Sequence, residues 1–214
     1  MKKLSILLAT LLLCGVAGAV QFEAGIGVTQ ATSQGNGAWY QEGLPYKLDM
    51  RSQVWTIGVT DKITPNVNWH VNYVNLGIYR GDALAADRDE DYDPTTQSCK
   101  PGCNVARYIS NGSANGISAT LDYHRNGFGV NGGPYLYKPI SRHTVEGWKA
   151  SPEAVPQTIH VANNEKLKIG FTLGVFYEMG DTRLALQNYW NKCTPSTQAC
   201  LWKSITTLSL IHKF

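Results

Sequence analysis

Residues 166–178 read K-L-K-I-G-F-T-L-G-V-F-Y-E. In an extended chain, Leu167, Ile169, Phe171, Leu173, Val175 and Tyr177 fall on one face. Lys166, Lys168, Gly170, Thr172, Gly174, Phe176 and Glu178 fall on the other. Such alternation marks a β-strand, because successive strand side chains point to opposite faces. The same period of two recurs along the chain. Residues 20–29 set Val20, Phe22, Ala24, Ile26 and Val28 against Gln21, Glu23 and Thr29; residues 52–60 align Trp55, Ile57 and Val59. Residues 67–73 align Val67, Trp69, Val71 and Tyr73 opposite Asn68, His70 and Asn72. Residues 117–124 align Ile117, Ala119, Leu121 and Tyr123 opposite Ser118, Thr120, Asp122 and His124. Residues 128–137 set Phe128, Val130 and Leu136 against Asn131, Tyr135 and Tyr137. Residues 183–190 and 201–214 complete eight strand candidates, and no segment shows a helical period of comparable strength.

The connections alternate in length. Residues 61–66, 124–127 and 179–182 are tight turns rich in Gly, Asn, Asp and Pro, whereas 30–51, 80–115, 138–165 and 191–200 are long and polar. This pattern predicts an up-and-down antiparallel arrangement with short turns at one end and large loops at the other. One face of each strand is greasy, and the other carries Gly, Ser, Thr, Asn and some charges. Alternation alone suits a sandwich as well as a barrel. The aromatic residues discriminate better. Phe22, Trp69, Tyr123, Phe128, Tyr177 and Phe214 map near the short-turn end of the apolar face, and Trp55, Trp190 and Trp202 toward the other end. Two aromatic girdles about 25 Å apart suit the two interfaces of a bilayer.

Composition agrees. The 214 residues are 43% hydrophobic and only 16% charged, against about 25% charged in soluble domains. Disordered, fibrous and disulfide-dense classes are excluded. The net charge is +3, of which Lys2 and Lys3 supply two. No basic stripe offers a footprint for nucleic acid. Beyond the N-terminus no run of about 18 apolar residues is present, so helical membrane spans are excluded. Met1-Lys2-Lys3, the apolar run 4–13 and Ala17 and Ala19 before Val20 read as a secretory signal peptide over 1–19. Residues 20–214 then form one barrel domain. Removing Cys14 leaves four cysteines, an even number that fits an oxidising compartment.

These features together resemble the small eight-stranded Gram-negative outer-membrane β-barrels, as in the OmpA membrane domain and OmpX. The resemblance covers residues 20–214. It rests on the signal peptide, strand count, loop alternation and the terminal strand ending L-S-L-I-H-K-F. It implies an all-β, closed, transmembrane barrel with short periplasmic turns and long extracellular loops. It also implies that Phe214, with Leu208 and Leu210, serves as the insertion signal read by the barrel assembly machinery. His212 departs from that pattern, where a hydrophobic residue is commoner. Outer-membrane lipid and lipopolysaccharide are the implied surroundings.

An eight-stranded barrel has room inside for side chains and little else. The inward positions predict a luminal polar network of Glu23, His70, Asp122, His124, Glu178 and Arg183, with Lys168 and Gln187 also inward. Glu178 and Arg183 flank the M-G-D-T turn and should pair across it; Asp122 and His124 read as a second hydrogen-bonded pair. In the loops, short spacing favours disulfides Cys99–Cys103 and Cys193–Cys200. A zinc site lacks a C-x-x-C pair. The acidic run 87–93, D-R-D-E-D-Y-D, reads as a solvated loop, with calcium as the alternative although the EF-hand spacing is missing. No cofactor or metal is expected. The functional expectation is a non-enzymatic surface protein with an unidentified extracellular partner. One alternative is a narrow channel for small solutes. The other is a lipid A-modifying enzyme using S-R-H-T-V-E at 141–146, with Ser141, His143 and Glu146.

Overall fold

The computed structural model describes residues 20–33, 46–86, 92–93, 98–99, 104–149, 154–164, 166–190 and 202–214. Its strands are β1 (Gln21–Ser33), β2 (Tyr46–Asp49), β3 (Arg51–Thr64), β4 (Val67–Ala86), β5 (Tyr92–Asp93) and β6 (Ser98–Cys99). They continue as β7 (Val105–Arg125), β8 (Phe128–Trp148), β9 (Gln157–Asn164), β10 (Lys168–Met179), β11 (Thr182–Trp190) and β12 (Trp202–Lys213). Eight of them close an antiparallel ring in the order β1-β3-β4-β7-β8-β10-β11-β12, with β12 returning to β1. These are the eight segments that the alternation marks. Each of these eight strands therefore has a neighbour on both sides, with β12 pairing β1 from Lys213↔Glu23 to Trp202↔Ser33 and β8 pairing β10 from Tyr137↔Lys168 to Phe128↔Tyr177. The expected signal peptide, Cys103, Cys193, Cys200 and residues 87–91 lie outside the described residues, as do the side chains of Cys99 and Asp93.

The tight turns are local chemistry. Asn126 (φ 53°) and Gly127 (φ 83°) both have positive φ, as a two-residue turn compatible with strand twist requires. At Met179–Thr182, Gly180 supplies the single positive φ of 63°.

The long connections are shorter than the sequence predicts. β4, β7 and β8 run for 20, 21 and 21 residues, absorbing most of 80–86, 105–115 and 138–148. β2 continues the line of β3 along β4, and β9 continues that of β10 along β8. Backbone pairing propagates whether or not the outer face is apolar, so the greasy pattern stops where the ladder does not. Polarity was the cue for loops, and polarity does not report on backbone hydrogen bonds.

Ile26, Ile169 and Phe128 are 72%, 71% and 68% exposed on the outer face, whereas Asp122 and Arg183 are 2% exposed on the inner one. On β10 the apolar face runs from Leu167 to Tyr177, ten residues, about 34 Å along a strand and about 26 Å in height at a 40° tilt. Of the upper aromatics, Trp190 pairs with Phe171 inside that band, whereas Trp55 ends the apolar face of β3 beside exposed Gln53; the Trp202 side chain lies outside the described residues. Tyr177 and Phe171 are only six residues apart, about 20 Å along the strand.

Candidate functional site

The lumen is the built part of the molecule. Alternation on six strands aims charged side chains inward near the short-turn end. His70 of β4 stands between two carboxylates: Nδ1 is 3.0 Å from Glu23 Oε1 of β1, and Nε2 is 2.7 Å from Asp122 Oδ2 of β7. Asn72 Nδ2 donates to Glu23 Oε1 at 2.6 Å, and the Asn68 amide donates to Asp122 Oδ1 at 3.0 Å. Arg183 Nη2 of β11 donates to Asp122 Oδ2 at 2.5 Å and to Glu178 Oε1 at 2.8 Å. Lys213 Nζ of β12 reaches the same Glu178 oxygen at 2.8 Å. The Arg183 guanidinium also lies 3.9 Å over the Phe176 ring. Two cations, Arg183 and Lys213, and the His70 imidazole thus face three carboxylates. Such pairing is what permits charges in a site this buried.

The structure therefore brings Glu23, His70, Asp122, Glu178 and Arg183 into one cluster. Glu178 and Arg183 are register partners across the 180–181 turn. His124 stands apart: its Nδ1 is 3.7 Å from Asp122 Oδ1, too long for a hydrogen bond. The expected Asp122–His124 hydrogen bond is thus corrected, because Asp122 is already occupied by His70, Arg183 and the Asn68 amide. Asn68, Asn72 and Lys213 are members that the sequence reading missed. Their inward parity was available; their reach across the lumen was not.

Above the ionic layer the lumen is lined by aromatic and aliphatic side chains. Tyr135 stacks on Tyr137 (centroids 5.0 Å, 7°) and meets Tyr189 edge-on (5.1 Å, 70°). Tyr79 hydrogen-bonds Thr29 Oγ1 at 2.8 Å and donates to the Leu76 carbonyl at 2.5 Å. Met50, Val54, Val74, Leu76, Ala114 and Ile205 pack around these rings. A bulge between Asn75 and Ile78 makes this layer. Gly77, at φ +88°, lets Leu76 point inward and reverses the parity beyond it, so that Tyr79 faces the lumen. A Cβ at Gly77 would meet Ser52 Oγ at 2.3 Å. Between the two layers lies a cavity of about 10 Å³, bordered by His70, Arg183 and Tyr189. That is room for about one water.

Beyond the apolar belt, Ser141, His143 and Glu146 lie on strand β8 rather than in a loop. Alternation sends Glu146 to the face opposite His143, where it stands 3.9 Å from Arg107. His143 Nδ1 instead bonds Ser110 Oγ of β7 at 2.9 Å. Burial holds the His143 imidazole below its usual range. The anticipated S-R-H-T-V-E site therefore does not assemble. Nearby, Arg107 grips Asp82 through Nε at 2.9 Å and Nη2 at 2.5 Å, holding that carboxyl below the usual range. Phe214 is exposed; its amide donates to the Phe22 carbonyl at 2.9 Å, and its ring packs edge-on against His212. Among the described residues no three His, Cys, Asp or Glu side chains are placed so that they could hold a metal ion.

No protein-family model matches the chain, and no curated protein matches it. Among solved structures it is similar to Ail, the attachment invasion locus protein of Yersinia pestis, at 10% identity and TM-score 0.41, covering 92% of this chain and 99% of that one. It is also similar to the translocator domain of the autotransporter NalP from Neisseria meningitidis, at 12% identity and TM-score 0.30, over 98% and 93% of the two chains. A mutant Rh. blastica porin shares 6% identity at TM-score 0.23, over 92% and 100%. These structural neighbours are outer-membrane β-barrels. At such distances none assigns a role, and the fold description rests on the strand pairing itself.

Proposed function

We propose that the chain is an integral outer-membrane β-barrel of a Gram-negative cell, exported by residues 1–19 and inserted through the Phe214 signal. It acts without catalysis, presenting its extended hairpins and loops, stapled by Cys99–Cys103 and Cys193–Cys200, as an interaction surface outside the cell. The observation that carries this reading is the belt of exposed Ile, Val, Leu, Phe and Trp side chains around a closed ring whose charges face inward. A water-soluble barrel needs the reverse arrangement. A height of about 26 Å matches the outward apolar band of such barrels, and closure leaves no unpaired strand edge to face lipid. The short turns then face the periplasm, and the far ends of the β4–β7 and β8–β9 hairpins stand clear of the lipopolysaccharide interface.

The filled lumen favours an anchor over a channel. The test is fractionation of envelopes with gel migration before and after heating. The expected result is an outer-membrane protein whose unheated form runs faster. A soluble protein with no heat shift overturns the proposal. Lipid A mass spectra of cells with and without the protein should be identical; a changed acyl pattern would restore the enzymatic reading.

A further inference from the structure

A concavity of about 630 Å³ lies on the outer face near the short-turn end. Its floor is one cross-strand row, Tyr123–Val130–Val175–Leu186–Leu208, in which each neighbour is a register partner. Two valines at the centre of larger side chains make the dip. The next row toward the turns begins Arg125–Phe128–Tyr177–Leu184. Phe128 and Tyr177, with ring centroids 4.6 Å apart, form its wall. Arg125 is exposed at the end of that wall and lines the groove, with no ion-pair partner among the described residues. Elsewhere near the short turns, Arg183 and Lys213 are both tied to Glu178.

We infer that this groove holds an acyl chain of one anionic phospholipid, whose phosphate is taken by Arg125. The inference rests on the membrane reading above and specifies one lipid within it. Apart from the Tyr123 hydroxyl at its end, the floor offers apolar contacts, so its occupant there is hydrocarbon. A concave surface touches a chain on several sides at once, and dispersion contacts accumulate with each. Arg125 sits two residues beyond the floor, about 7 Å along the strand. That places a guanidinium at the level where the belt ends and headgroups begin, beside its register partner Phe128. A guanidinium binds phosphate oxygens in a two-pronged geometry that an ammonium does not match.

The test uses the full mature chain in detergent, with dioleoylphosphatidylglycerol as the probe and retained lipid counted by native mass spectrometry. Liposome flotation and the heat shift are measured in parallel. Arg125→Gln removes the phosphate contact, and Val130→Phe with Val175→Phe fills the groove from the lipid side without touching the lumen. The wild type should retain one phosphatidylglycerol, and either variant should lower retention about tenfold, while all three proteins float and shift on heating. Equal retention by wild type and Arg125→Gln overturns the inference and leaves the membrane reading intact. A lipid-free dimer joined through this face does the same. A wild-type chain that does not float overturns both.

Discussion

At the scale of single residues, Asp122 shows how a luminal charge becomes tenable. It takes a histidine, an arginine and a backbone amide, and none of these partners is near it in sequence. Removing one partner strands the others. Arg183→Ala should therefore cost about 3–5 kcal/mol in urea unfolding from lipid vesicles. Glu178→Gln should cost far less, since Glu178 is partly exposed and still able to accept from Lys213. An equal loss in the two variants would contradict a network centred on Asp122. The exposed Asp82–Arg107 pair behaves differently. Asp82 is held low when folded, so the pair contributes fully above the ordinary aspartate range, near pH 4. That contribution is lost as pH falls through the lowered folded value. Exchange protection along 80–86 and 105–111, taken relative to the intrinsic amide rate at each pH, should fall on acidification through that window, and Asp82→Asn should remove the effect.

At the scale of elements, β4 carries the decisive irregularity. Up to Val74 its even positions face the lumen, and beyond the bulge its odd positions do. Gly77 permits this because its φ of +88° lies where L side chains are strained. Gly77→Ala should destabilise by about 1–3 kcal/mol, read from urea midpoints, and should weaken exchange protection around Tyr79. An unchanged midpoint would mean that the bulge relaxes at no cost. Such a shift is hard to read in a sequence, since V-N-L-G-I-Y-R fits either parity by itself. The extended hairpins were hidden for a related reason. S-N-G-S-A-N-G at 110–116 looks like a loop by composition, yet all of it pairs with β8 and, but for Ala114 opposite the bulge, with β4.

At the scale of the whole molecule, two closures lie in series along the lumen, one ionic and one aromatic. Each fills the bore by itself, so planar bilayers holding the folded protein should stay silent. Arg183→Ala should stay silent as well, because the tyrosine layer still closes the bore. Discrete conductance steps from the wild type would contradict this packing. The alternation of residues 20–29, 52–60, 67–73, 117–124, 128–137, 166–178, 183–190 and 201–214 determined the strand count, the outward face and the inward charges. A period of two is a local property and survives in the sequence. The identity of each charge's partner, the closing β12–β1 seam, the reversal at Gly77 and the tyrosine layer were decided only by the tertiary structure. They depend on which residues meet across a bore after the ring closes, and that distance is set by strand register and twist rather than by neighbours along the chain.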